Sequence, residues 1–131
     1  MVHRDIKIEN IFSVDGHVLL NDFGHAVDAG AQVHAGGCLH NASDSVIQAR
    51  IHGSTYTAGP QDDWIMFLRM CWRYLFPPEH QAVPTEGMVE FFSHMAAPWK
   101  EVEAWILGPD LAEEEIAEGI TAWFHKVWLA G

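Results

Sequence analysis

The sequence predicts an α+β domain, mainly α, in the order β-hairpin, long loop, helical bundle. Three observations carry this expectation. Val14-Asp15-Gly16-His17 separates two short apolar runs. Residues 25–61 show little periodicity and are punctuated by Gly30, Gly36, Gly37, Gly53 and Gly59. From residue 62 onward, apolar residues recur at helical spacing.

Residues 11–21 read as the hairpin. Ile11-Phe12-Ser13 leads in and Val18-Leu19-Leu20 leads out. Asp-Gly tolerates the two positive φ angles of a type I′ turn. Antiparallel pairing then sets Asn10 and Asp22, at the outer ends of the two strands, side by side. Residues 25–61 form a long loop by composition, and such loops are functional or disordered. The clearest helix covers residues 62–76, with Trp64, Phe67, Leu68, Cys71, Trp72 and Leu75 recurring in register. Ile65, Met66 and Met70 fill much of its remaining surface, which predicts a central, buried helix. Pro60 precedes it and Pro77-Pro78 ends it.

Residues 85–107 hold one or two helices. Met88, Phe91, Phe92 and Met95 make one stripe, Pro98 interrupts, and Val102, Trp105 and Ile106 make another. Gly108-Pro109 stops that segment, and Asp110 with Glu113 reads as a capping box. The last helix carries Ile116, Ile120, Trp123, Phe124 and Val127 on one face.

At 131 residues the chain is one domain or part of one, and its 49% hydrophobic content supports a real core. A net charge of −11, with Lys and Arg scattered, argues against nucleic-acid binding. Cys38 and Cys71 have no pair spacing and read as reduced thiols. No apolar run reaches transmembrane length and no signal peptide is visible, so an intracellular, cytoplasmic chain with no membrane contact is expected. His34, Cys38 and His40, with His52 beyond, match no zinc spacing. The six Trp lie mostly on apolar helix faces, where core packing is the expected role.

The chemistry concentrates in residues 3–24. His3-Arg4-Asp5-Ile6-Lys7-Ile8-Glu9-Asn10 is followed by the hairpin and then by Asp22-Phe23-Gly24. An acid, a lysine and an amide lie within six residues, and a second acid follows seventeen positions after the first. Phosphoryl transfer needs such parts: metal ions on phosphate oxygens, a nearby positive charge, and an oriented hydroxyl. Asp5 can accept or orient the proton of the hydroxyl. Lys7 can reach the phosphate as a point charge. Asn10 and Asp22 supply hard oxygen ligands that suit magnesium. Each residue alone also has a plainer role, such as capping or hydrogen-bonding a turn.

Together the two motifs resemble the catalytic and metal-binding loops of eukaryotic-type protein kinases. The resemblance implies a kinase-like C-terminal lobe: residues 1–24 as catalytic loop, hairpin and Asp-Phe-Gly, 25–61 as activation segment, and 62–131 as helical subdomain. It implies Asp5 as catalytic base, and Lys7 as the lysine typical of Ser/Thr rather than Tyr kinases. Lys7, Asn10 and Asp22 would hold ATP, with Asn10 and Asp22 on magnesium. His3, Arg4, Phe23 and Gly24 would support the site. Arg4 before Asp5 often goes with control by loop phosphorylation, since arginine grips phosphate bidentately. Ser43, Ser45, Ser54, Thr55, Tyr56 and Thr57 are hydroxyls in the corresponding region. Gly53-Ser54-Thr55-Tyr56-Thr57-Ala58 resembles the substrate-positioning loop, which makes Thr55 the partner of Asp5 and Lys7. Asp63 would tether the catalytic loop by its backbone; in a helix's first turn it also suits the dipole.

The chain departs from the family pattern in places. Ala58-Gly59-Pro60-Gln61 stands where Ala-Pro-Glu is expected, Ile8 replaces a proline, and His25 follows Asp-Phe-Gly. With no glutamate among residues 58–61, the buried ion pair that the resemblance implies is not expected, and the arginine expected between the last helices has no visible counterpart. No Gly-rich loop or strand lysine precedes His3. The reading is therefore a Ser/Thr kinase acting on ATP and a protein hydroxyl, inactive as this fragment, with an exposed apolar cleft floor that invites a covering partner. The alternatives are a non-catalytic kinase-like binding module and an incomplete gene model of an active kinase.

Overall fold

A computed structural model describes residues 1–76, 84–108 and 111–126. The chain is α+β and mainly helical, with two small antiparallel sheets. The first sheet is the hairpin of β1 (Ile11–Val14) and β2 (His17–Leu20), in the register Ile11↔Leu20 to Val14↔His17. Asp15 and Gly16 both take positive φ, 50° and 78°, as a type I′ turn requires. At the open end Asn21 N donates to Asn10 O at 2.8 Å, so the two flanking segments leave side by side.

Residues 25–61 are more ordered than composition suggests. They contain β3 (Gln32–His34), α1 (Asp44–His52) and β4 (Thr55–Thr57), with β3 and β4 antiparallel. α1 escapes a periodicity search because its buried residues Val46, Ile47 and Ala49 alternate with polar ones and its apolar face is short. Gly53, at φ 64°, ends it with its N–H on Ala49 O and Arg50 O.

Helix α2 (Pro60–Leu75) is the central element. Its fully buried face is Ile65, Met66, Leu68, Arg69 and Met70, while Trp64, Phe67, Cys71 and Trp72 are half-buried. Leu68 apart, the stripe read from spacing is thus the shallower one, and an arginine sits on the deeper face. Gly59 N donates to Asp62 Oδ2 at 3.1 Å, which secures the N-terminus of α2. Around α2 pack α3 (Met88–Ser93), α4 (Ala97–Ile106) and α5 (Glu113–Phe124). Their inward residues are Met88 and Phe92, then Trp99, Val102 and Ile106, then Ile116 and Ile120.

Trp99 sits edge-on to Trp72 at 5.4 Å and to Trp123 at 4.9 Å between ring centroids, so these aromatics build core. Trp105 is the exception, at 40% exposed. Pro98 does not break a helix but opens α4, where its missing N–H costs no hydrogen bond. α5 begins at Glu113 after Ala112 as N-cap, so Glu113 is its first residue and not the third of a capping box. Pro77-Pro78, Pro109, Asp110, Val127 and Trp128 lie outside the described residues. Cys38 and Cys71 are free thiols, and burial pushes Cys71 up to about 11.

Candidate active site

Residues 3–6 are buried and lead through half-buried Lys7 into a short 3₁₀ turn at Ile8–Asn10, just before the hairpin. The frame of this segment is a bidentate carboxylate: Asp63 in the first turn of α2 accepts from His3 N at 2.7 Å and from Arg4 N at 2.9 Å. Two amides with no strand to pair with are thereby satisfied. Val2 and Val27 pair on either side through reciprocal backbone bonds of 2.7 and 3.0 Å, which brings the segment after Gly24 alongside. The His3 ring accepts from Asp5 N at 3.1 Å through Nδ1. Its Nε2 therefore carries the proton and donates to Asn21 O at 2.9 Å. Phe23 meets the His3 ring edge-on at 4.8 Å. His3 thus holds the loop to the strand exit and is a structural donor.

Asp5 is 4% exposed, and its carboxylate is shared. Asn10 Nδ2 donates to Asp5 Oδ2 at 3.0 Å and to Asp5 O at 2.9 Å. Lys7 Nζ lies 3.9 Å from Asp5 Oδ1. Both atoms facing the Asn10 amide can only accept, so its nitrogen must point at them. Oδ1 is then left as the amide's ligand atom. Asp22 is exposed with φ 57°, and its Oδ1 accepts from Gly24 N at 3.3 Å. An amide oxygen and a carboxylate are a donor set that magnesium accepts alongside water. Among the described residues no three or more His, Cys, Asp or Glu converge on a metal-sized point, which covers His34, Cys38, His40 and His52.

Arg4 departs from its expected role. At 8% exposed and φ 73°, it is covered by the segment whose phosphate it was expected to grip. Nη2 donates to His34 O at 2.6 Å and Nη1 to His25 O at 3.4 Å, with the guanidinium 5.9 Å over the Tyr56 ring. The carbonyls of residues 25 and 34 occupy the face a phosphate would use. Gly37 makes this possible: at φ 76° it backs onto Arg4 O, where a Cβ would overlap that oxygen. Of the candidate hydroxyls, Ser43 is 2% exposed and donates to Asp62 Oδ1 at 2.8 Å, and Tyr56 is buried. Ser45, Ser54, Thr55 and Thr57 are exposed.

Thr55 is not brought to Asp5 or Lys7. Its hydroxyl donates to Gln32 Oε1 at 3.5 Å across the β3–β4 pair, and Thr57 bonds the same glutamine. Strand alternation sends Tyr56 inward and both threonines outward.

Burial raises the carboxyls of both Asp62 and Asp63 above their ordinary value, against the lowering pull of the bonds they accept. The missed residue is Arg69. At 2% exposed, it reaches Glu103 and Asp44 and caps Ala42 O at 2.6 Å. A buried ion pair does tie the helices together, through residues that spacing alone could not connect.

Above the loop the surface is apolar. Ile8, Phe12, Val14, Val18, Leu19 and Leu20 are 40–73% exposed. A shallow cavity of about 320 Å³ lies between Ile8 and Ile11 on one side and Met70, Cys71, Tyr74 and Leu75 on the other. No helix among the described residues is long and apolar enough to cross a membrane. No protein-family model and no solved structure matches this chain.

Proposed function

We propose that this chain carries the catalytic-loop half of a protein Ser/Thr kinase, which moves the γ-phosphate of ATP to a protein hydroxyl with magnesium. The observation that supports this is the sharing of one buried carboxylate: Asp5 Oδ2 with the Asn10 amide and Oδ1 with Lys7. Asp5 is thereby oriented to receive the proton of an incoming hydroxyl. Lys7 balances charge beside it. Asn10 Oδ1 and the Asp22 carboxylate would hold magnesium, which when bound neutralises phosphate oxygens. An intracellular, cytoplasmic setting goes with this reading.

A second reading, a non-catalytic kinase-like binding module, is favoured by two observations. The Thr55 hydroxyl bonds Gln32 and not Asp5, and the hairpin presents bare apolar side chains suited to a covering partner.

Manganese(II), a paramagnetic stand-in for magnesium, discriminates when titrated with ATP. The transferase reading expects the amide signals of Asn10 and Asp22 to broaden, and to stay sharp in Asp22→Ala. Sharp signals throughout in the unsubstituted chain favour the binding module. These 131 residues include no Gly-rich loop or strand lysine to cover the phosphates, so transfer from labelled ATP by them alone is not expected. Robust transfer that vanishes in Asp22→Ala overturns that expectation. Transcript sequence before the Met1 codon separates an incomplete gene model from a binding module: an in-frame Gly-rich loop supports the first, a stop codon the second.

A further inference from the structure

Beside Lys7, a cavity of about 270 Å³ opens between residues 7–9 and the last turns of α2. Lys7, Glu9, Cys38, His40, Asn41 and Arg73 contribute to its walls. Two of its groups lack partners of the kind they need.

The first is Arg73. It donates to His40 O at 3.0 Å and approaches Met88 Sδ at 3.6 Å. Among the described residues no carboxylate pairs with it, whereas Arg69 one turn earlier has two. Burial lowers its pKa from the ordinary guanidinium value. A half-buried cation without a counter-ion gains from any anion that enters beside it.

The second is Asn41, at 6% exposed. Its Nδ2 donates to Cys38 Sγ at 3.7 Å, and its buried Oδ1 has no hydrogen-bond partner. A buried amide oxygen of this kind calls for a donor. Lys7, whose charge Asp5 already balances at 3.9 Å, also borders the cavity. Glu9 is exposed at the mouth, where water and salt screen it.

Arg73 therefore asks for an anion, and an acidic side chain of an extended peptide supplies it. We propose that this cavity binds an acidic side chain of a peptide, a carboxylate or a phosphate, and so selects acidic protein substrates. The word substrate rests on the transferase reading above; the anion site does not.

The chain's net charge of −11 makes the test stringent, because its overall field repels acidic peptides. Three labelled serine peptides of equal length, rich in Glu, Gln or Lys, are titrated without ATP and followed by fluorescence anisotropy. The Glu peptide is expected to bind about tenfold tighter than the Gln peptide, as one charge-assisted contact provides. Arg73→Gln should abolish that preference, and Arg73→Glu should turn it toward the Lys peptide. Because the net charge alone draws the Lys peptide to a folded or unfolded chain, each Arg73 variant is first shown to keep the urea midpoint of the unsubstituted protein. A phosphoserine-rich peptide that binds more tightly still names phosphate as the preferred anion, and weaker binding names carboxylate; both support the site. Equal or absent binding of the Glu, Gln and Lys peptides, or a Glu preference that survives both Arg73 substitutions, overturns it. Charge-selective binding with no effect of manganese on Asn10 and Asp22 would remove the transferase reading and leave the anion site standing.

Discussion

Arg69 on α2 grips Glu103 on α4 with two bonds, Nη2 to Oε1 at 2.6 Å and Nε to Oε2 at 3.2 Å. The same guanidinium reaches Asp44 Oδ1 at the start of α1 at 2.9 Å, and lies 4.5 Å over the Phe92 ring of α3. One side chain thus joins four helices. The two acids are unequal, since the Glu103 side chain is 13% exposed and that of Asp44 is 52% exposed. Taking an arginine out of water is costly unless its donors are filled. Here Nε, Nη1 and Nη2 all have acceptors.

Glu103→Ala is expected to destabilise the fold by about 3 kcal/mol, because it leaves a buried cation short of its main partner. Asp44→Ala should cost less than about 1 kcal/mol, as solvent screens an exposed pair. Urea unfolding midpoints of the two variants check the order. Equal losses would mean that the guanidinium does not depend on Glu103.

The neighbouring acids Asp62 and Asp63 should respond differently to Asn. Asp62 accepts from a hydroxyl and an amide. In Asp62→Asn the Ser43 hydroxyl can turn and accept from the new NH₂, so stability should stay within about 1 kcal/mol. Asp63 accepts from two amides that cannot turn. Asp63→Asn must set an NH₂ against one of them, at a cost of about 1–3 kcal/mol. Hydrogen exchange at the His3 and Arg4 amides should quicken in Asp63→Asn and hold in Asp62→Asn.

The same pair sets a pH dependence opposite to that of a salt-bridged carboxylate. Both folded pKa values are raised, mainly by burial. The folded chain therefore holds more protons than the unfolded one from the ordinary 3.8 up to the raised values. The stability these groups contribute is full below 3.8 and is lost as pH rises through that window. Asp62→Asn, neutral at every pH, should flatten part of the fall. Urea midpoints measured across the window test this, and an unchanged slope would refute it.

The hairpin and the 3–24 loop were legible because their chemistry is local. Asp15-Gly16 fits positive φ wherever it occurs, and Asp5, Lys7 and Asn10 are too close in sequence to separate in space. Arg69 was not legible, since an arginine in an apolar helix reads as its wet face. Only Asp44 and Glu103, 25 and 34 positions away, make its burial possible. The β3–β4 sheet stayed hidden because three-residue strands carry almost no alternation, and Thr55 was misplaced with it.

Gly37→Ala tests whether the loop of residues 34–38 is packed on the segment around Arg4 as tightly as the geometry implies. The new Cβ would overlap Arg4 O, and φ 76° already disfavours an L side chain. The αL backbone alone costs about 1–2 kcal/mol, and the overlap adds to it. Cys38 N donates to Arg4 O at 3.1 Å, so that bond should break first. The expected result is a lower melting temperature with amide shifts concentrated at Arg4, Asp5 and Cys38. Gly30→Ala is the control: φ is 90° there too, but nothing stands within 4 Å of the added Cβ. A Gly30 variant that loses as much stability, with shifts at the same three amides, would show that backbone strain and not the Arg4 contact governs Gly37.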